Sequence, residues 1–157
     1  MIHNLDPIYN KNSKILILGS LPSVISRNAN FYYANKNNRF WKIFEILFNV
    51  ELSTNESKKE FLLNNNIALW DVIKSCEING SSDSSIKNIK VNDIEKILHE
   101  SNISCVFCTG KTAYNNFIKY FDINIDVIYL PSPSSANAIK SIGELVDNYK
   151  VIVDKLN

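Results

Sequence analysis

Asn38, Tyr33, Asp71 and a serine-rich turn at Ser132, Ser134 and Ser135 are the side chains whose types and surroundings could do chemistry. Asn38 opens the run Asn38-Arg39-Phe40-Trp41. It reads both as the cap of a helix and as a neutral amide at the mouth of a cleft, and the two readings are compatible. Tyr33 ends Phe31-Tyr32-Tyr33; it either packs on the surface or offers a flat face to a base, a contact worth about 1–3 kcal/mol per base. Ser132, Ser134, Ser135 and Asn137 fall in Leu130-Pro131-Ser132-Pro133-Ser134-Ser135-Ala136-Asn137. That stretch is a polar turn before a helix, or a clamp whose hydroxyls and amides bind phosphate oxygens without a large positive charge.

Other constellations fail on spacing. Gly110-Lys111-Thr112 looks like the end of a phosphate-binding P-loop, but the first glycine of that motif would fall at Cys105, inside a strand. Cys105 and Cys108 make a C-x-x-C pair, yet residues three apart on a strand face opposite sides, and Cys76 does not complete a metal site. Gly19-Ser20-Leu21 could be a nucleophile turn, which needs a histidine base. The histidines are His3, near a terminus, and His99, on a predicted helix. No metal and no cofactor are expected.

The elements that must position these groups follow from periodicity. Short apolar, β-rich segments at 14–19, 67–72, 104–109 and 125–130 alternate with helical patterns, which predicts an α/β fold with a central four-stranded parallel sheet and helices on its faces. Asn38 is expected to cap a helix carrying Phe40, Trp41, Phe44, Leu47 and Phe48; Ser53 with Glu56 and Ser141 with Glu144 suggest capping boxes for two more. Right-handed crossovers bring the carboxyl ends of parallel strands to one edge. The loops 19–38, 71–89, 110–112 and 130–138 should converge there, and the second, around Ser81-Ser82-Asp83-Ser84-Ser85, is long enough to be functional.

At 157 residues the chain fits a single domain, 1–157, able to bury roughly 68–70% of its unfolded surface. Its formal charge of +1 creates no global field toward a polyanion, so any such site is local. The amino terminus lacks a basic region followed by an apolar one, and no apolar run approaches the ~20 residues that span a bilayer. Three cysteines are an odd count that argues against a disulfide framework. A monomeric cytoplasmic protein without membrane contact is expected.

The order of Gly19-Ser20-Leu21-Pro22-Ser23, Tyr32-Tyr33-Ala34, Asn38-Arg39-Phe40-Trp41, Leu69-Trp70-Asp71-Val72-Ile73, Ser75-Cys76-Glu77, Asp83-Ser84-Ser85-Ile86 and Leu130-Pro131-Ser132 resembles the uracil-DNA glycosylase superfamily. Its deoxyinosine (hypoxanthine) branch is the most similar; the mismatch-specific uracil enzymes share Asn-Arg-Phe-Trp. The resemblance implies a three-layer glycosylase fold and base excision from double- or single-stranded DNA containing deaminated bases. It implies that Asn38 is the catalytic amide, that Ser20, Tyr33 and Asp71 meet the base, and that Pro22, Ser23, Ser132, Ser134, Ser135 and Asn137 meet DNA; Lys111 and Lys140, which flank two of the convergent loops, are the candidate cations for DNA.

Some positions depart from the family. Leu21 stands where relatives place a water-orienting Asp or Asn, and Leu130 where many place a residue that stabilises the departing base. Asn35-Lys36 replaces His-Pro and Ser134-Ser135 replaces Ser-Pro. The two leucines leave open a non-catalytic module that binds bases or damaged DNA. If the chain is an enzyme, Asn38 can hold a water against the anomeric carbon through proximity and orientation. An ionised Asp71 could accept from the ring nitrogen of hypoxanthine or instead cap the following loop. The target nucleotide must leave the stack, which is easiest at mispaired or damaged bases.

Overall fold

The computed structural model describes residues 5–77 and 86–157. Parallel strands β1 (Ile15–Gly19), β2 (Ile67–Asp71), β5 (Cys105–Thr109) and β6 (Asp126–Leu130) form one sheet in the order β2-β1-β5-β6. Between β2 and β5, strands β3 (Ile73–Glu77) and β4 (Lys87–Val91) pair antiparallel in a separate ribbon. The helices are α1 (Val24–Ala29), α2 (Phe40–Phe48), α3 (Asn55–Asn64), α4 (Ile94–His99), α5 (Lys111–Tyr120) and α6 (Ile142–Leu156).

Strand alternation divides the core in two. Ile15, Ile17, Ile67, Leu69, Cys105 and Phe107 point to one face and pack with Phe40, Phe44, Phe61, Leu145 and Tyr149. Leu16, Leu18, Ala68, Val106 and Cys108 point to the other, against Ile94, Ala113 and Phe117. The result is the expected three-layer sandwich, and Cys105 and Cys108 lie on opposite faces of the sheet. The outer edge of β2 is protected by Ile8, whose backbone exchanges two 2.9 Å hydrogen bonds with Leu69.

The element boundaries differ from expectation in particular places. Residues 24–29 form α1 inside the expected loop 19–38, capped by Ser23, whose side chain accepts from the Ser26 amide. The box before α3 is Thr54 with Ser57, one residue beyond Ser53 and Glu56. The N-cap of α2 is Arg39, with no side-chain cap bond; Asn38, one residue earlier, accepts the Phe40 amide at 2.9 Å. Ser141 and Glu144 do form a reciprocal box at the start of α6. The ribbon β3–β4 occupies part of the expected loop 71–89, while Ser81–Ser85 and His3 lie outside the described residues. Among the described residues no helix is long and apolar enough to cross a membrane.

Candidate active site

Parallel register sets Gly19 beside Asp71, Leu18 beside Cys108 and Thr109 beside Leu130. The carboxyl ends of the strands therefore come level, and a cavity of about 320 Å³ opens between the loops that leave them. Its floor is Gly19, Asp71 and Thr109; its walls are the segments around Ser20–Arg27, Tyr32–Asn38 and Ser132–Ser135.

At the floor, proximity dictates a glycine. A Cβ on Gly19 would lie 2.5 Å from Oδ1 of Asp71 and 2.9 Å from the hydroxyl of Tyr33. The missing side chain lets the carboxylate and the phenol meet over the strand end. Asp71 is buried, and its backbone carbonyl accepts from Nδ2 of the buried Asn92 at 2.8 Å.

Tyr33 is held in the left-handed region, φ 51°, which is strained for a bulky residue and persists only where surrounding contacts fix it. Those contacts are present. Its ring stacks on Phe40 with centroids 3.9 Å apart and planes 10° from parallel. Its hydroxyl lies 3.3 Å from Oγ1 of Thr109, and the next amide, Ala34, donates to Oγ of Ser26 at 3.1 Å. Burial, and then the charge of Asp71, push the phenol's pKa well above the ordinary tyrosine value. Near neutral pH it is a protonated hydrogen-bonding group. Phe40 covers one ring face, so a base can stack only on the other.

Asn38 is presented by a turn in which its amide donates to the Asn35 carbonyl at 2.9 Å and the Asn37 amide donates to Oδ1 of Asn35 at 2.9 Å. The bond from Phe40 N–H uses one of the two lone pairs on Oδ1 of Asn38. Asn38 lines the same cavity as Tyr33.

The loop after β6 is organised from within. Oγ of Ser132 accepts the Ser134 amide at 3.2 Å, Oγ of Ser134 accepts the Ala136 amide at 3.2 Å, and the Asn137 amide donates to the Ser134 carbonyl at 3.0 Å. The expected clamp therefore has its amides at 134, 136 and 137 already engaged. What Ser132 and Ser134 can still give a phosphate is their hydroxyl hydrogens.

Ser20, Tyr33, Asn38, Asp71, Pro22, Ser23, Ser132, Ser134 and Ser135 all line this one cavity. Asn137, Lys111 and Lys140 do not. The Asn137 side chain donates to the Ser132 carbonyl at 3.0 Å and so shapes the loop; Lys111 starts α5 with an exposed side chain. His99 lies beside a different recess, with Lys11, Asn12 and Asn102, near the amino ends of the strands. Among the described residues no group of three His, Cys, Asp or Glu could hold a metal ion.

Sequence reasoning assigned no role to two arginines. Arg39 gathers the loop after β6: its Nη2 donates to the carbonyls of Ser134 and Asn137 at 2.8 and 2.9 Å, Nε to Pro133 at 3.3 Å, and Nη1 to Lys140. Its own amide donates to Pro133 at 3.0 Å. Arg27 lines the cavity, and its buried Nε has no hydrogen-bond partner among the described residues. The available signal was a guanidinium beside each ligand-facing motif; the partners are set by tertiary structure.

The profile of the uracil DNA glycosylase superfamily matches residues 7–156. The chain belongs to that superfamily. It is 28% identical over 140 residues to a hypoxanthine DNA glycosylase of Methanosarcina barkeri, covering 86% of this chain and 89% of the relative. A hypoxanthine DNA glycosylase of Methanosarcina acetivorans is 33% identical over 135 residues, covering 83% and 84%. The solution NMR structure of a candidate uracil DNA glycosylase from Methanosarcina acetivorans superposes with a TM-score of 0.86 at 29% identity, covering 100% of both chains. Within the superfamily frame, Leu21 lines the cavity and Leu130 is buried, so neither apolar replacement supplies a polar group.

Proposed function

We propose that this chain is a DNA glycosylase that hydrolyses the N-glycosidic bond of deaminated bases, hypoxanthine first, from a nucleotide rotated out of the helix. The observation that carries the proposal is the meeting of a fixed amide, Asn38, a stacked ring, Tyr33, and a buried carboxylate, Asp71, in a single cavity of about 320 Å³. The names of the two archaeal relatives support hypoxanthine as the base.

In this reading the base slides over Tyr33, where stacking offsets part of the cost of leaving the helix. Asp71 accepts the N1 hydrogen of hypoxanthine. Oδ1 of Asn38 holds a water near C1′, and orientation does the work that a general base would do elsewhere. Among the described residues no lysine lines the cavity, so none of them places an amine to attack C1′, and the enzyme acts as a monofunctional glycosylase. Hydroxyls of Ser132 and Ser134 meet the phosphates, with Lys111 and Lys140 contacting DNA outside the cavity. The protein acts as a cytoplasmic monomer without a cofactor.

The test is incubation with duplexes carrying one deoxyinosine or one uracil, with and without chelator, followed by alkali. Strand breakage at deoxyinosine under both conditions is expected. Retardation of the duplex without any alkali-labile site would establish a binding module instead, and breakage confined to uracil would reassign the base.

A further inference from the structure

We infer that Arg27 is a catalytic residue that takes up the negative charge of the departing base, an inference that rests on the glycosylase reading. Breaking the C1′–N9 bond sends its electron pair into the purine. The water oxygen bonds to C1′ and releases a proton to solvent, and the freed base takes up a proton from solvent. Charge therefore builds on the base before it is neutralised, and Leu130, at the family position that stabilises the departing base, offers nothing to receive it.

Among the described residues, Arg27 is the single Lys or Arg lining the cavity, and Asp71 the single acid. Asp71 has the wrong sign to stabilise an anion. Arg27 has the right one, and a guanidinium stays charged at every working pH. Its Nε is shielded from water and makes no hydrogen bond among the described residues. A buried donor left unmatched costs stability, so a turn of the guanidinium toward a ligand acceptor in the cavity is favoured. Hypoxanthine provides acceptors at O6 and N7, the edge of a purine that guanidinium groups read in pairs. Arg27 also stands on α1, behind the Ser23 cap and the Ser26 hydroxyl that anchors the Tyr33 turn. The helix that fixes the stacking ring thus also carries the cation.

The experiment compares the parent with Arg27→Gln and Arg27→Lys on deoxyinosine duplexes, under single turnover with enzyme saturating, beside binding to an undamaged duplex over a range of salt. The parent is measured first; if it releases no base from deoxyinosine or uracil, the glycosylase reading itself fails. Given release by the parent, Arg27→Gln is expected to lose on the order of 10²–10³ in the saturated rate, with duplex affinity and its salt slope unchanged. Arg27→Lys keeps the charge and loses the fork, so its rate is expected between those of the parent and Arg27→Gln; Arg27→Ala carries the comparison if the glutamine variant does not fold. A folded Arg27→Gln, or failing it Arg27→Ala, that releases hypoxanthine at the parent rate overturns the inference. So does a loss confined to affinity with a salt slope smaller by about one, which marks a phosphate contact.

Discussion

The guanidinium of Arg39 donates to the Ser134 carbonyl at 2.8 Å, tying the residue that follows Asn38 to the loop that follows the last strand of the sheet. The fork also reaches the carbonyls of Pro133, Asn137 and Lys140. It is flanked by the amide on one side and, on the other, by Phe40, the ring beneath Tyr33. One residue therefore sets the spacing of the amide, the stacking platform and the serine loop.

Lysine at this position keeps the charge but cannot present donors in a planar fork. Arg39→Lys should lower stability by about 1.5–3 kcal/mol, the range for hydrogen bonds made by a charged group. It should also weaken affinity for a deoxyinosine duplex, because the loop carrying Ser132, Ser134 and Ser135 loses its anchor. Thermal melts and duplex binding check this; a variant equal to the parent in both would make the Arg39 contacts dispensable.

Gly19→Ala tests the floor of the cavity. The new methyl group must move Asp71 or Tyr33, since β1 is an interior strand held by β2 and β5 and cannot yield. Overpacking of this kind costs about 1–3 kcal/mol. Base release, measured well below the melting temperature, should fall further than the stability change accounts for. A parent-like rate in the alanine variant would show that the Asp71–Tyr33 pair is not needed in its present position.

Much of this arrangement was legible in the sequence, and the remainder was not for physical reasons. The β1, β2, β5 and β6 strands are short apolar runs bounded by loop residues, and α6 carries both its capping box and a helical apolar repeat. Once those strands are parallel, the convergence of Ser20, Asp71 and Ser132 follows from their places at strand ends, while Tyr33 is brought there by the turn after α1. The ribbon β3–β4 escaped because Lys74, Lys87 and Lys90 break its apolar pattern. Helix α1 has six residues, too few for a periodic signal. The role of Arg39 depends on carbonyls 94 to 101 residues away, a relationship no local pattern encodes.

Alkaline stability follows from the buried tyrosines. Tyr32, Tyr33 and Tyr149 all have pKa values raised above 10.0, with burial the largest cause, and the Asp71 charge next for Tyr32 and Tyr33. Above the unfolded value the unfolded chain loses phenolic protons while the folded chain keeps them. Protons bound in the unfolded state then number fewer than in the native state, and stability must fall as pH rises. The contribution is full below about pH 10. Beyond it, each such tyrosine removes roughly 1.4 kcal/mol per pH unit. Urea unfolding between pH 8 and pH 11 should therefore show a plateau followed by a steep decline. Replacing Tyr33 with Phe should make that decline shallower; an unaltered slope would mean that Tyr33 ionises equally in both states.

Asn38 gives the sharpest separation of structure from chemistry, because its Oδ1 accepts the Phe40 amide at 2.9 Å while the residue also lines the cavity. Asn38→Asp keeps an acceptor for that amide, so its melting temperature should stay close to the parent's. It nevertheless places a carboxylate where a neutral amide would hold water beside the glycosidic bond, and the base-release rate should change far more than the stability. Asn38→Ala removes the acceptor as well. It should lose about 0.5–2 kcal/mol of stability, the usual cost of deleting such a cap, together with most of the hypoxanthine release. The check is a single-turnover rate on a deoxyinosine duplex for each variant, taken at a temperature where both are folded. A folded alanine variant that releases hypoxanthine at close to the parent rate would reduce Asn38 to a cap, and the group that orients water would then be sought first at Ser20 and Asp71, which line the same cavity.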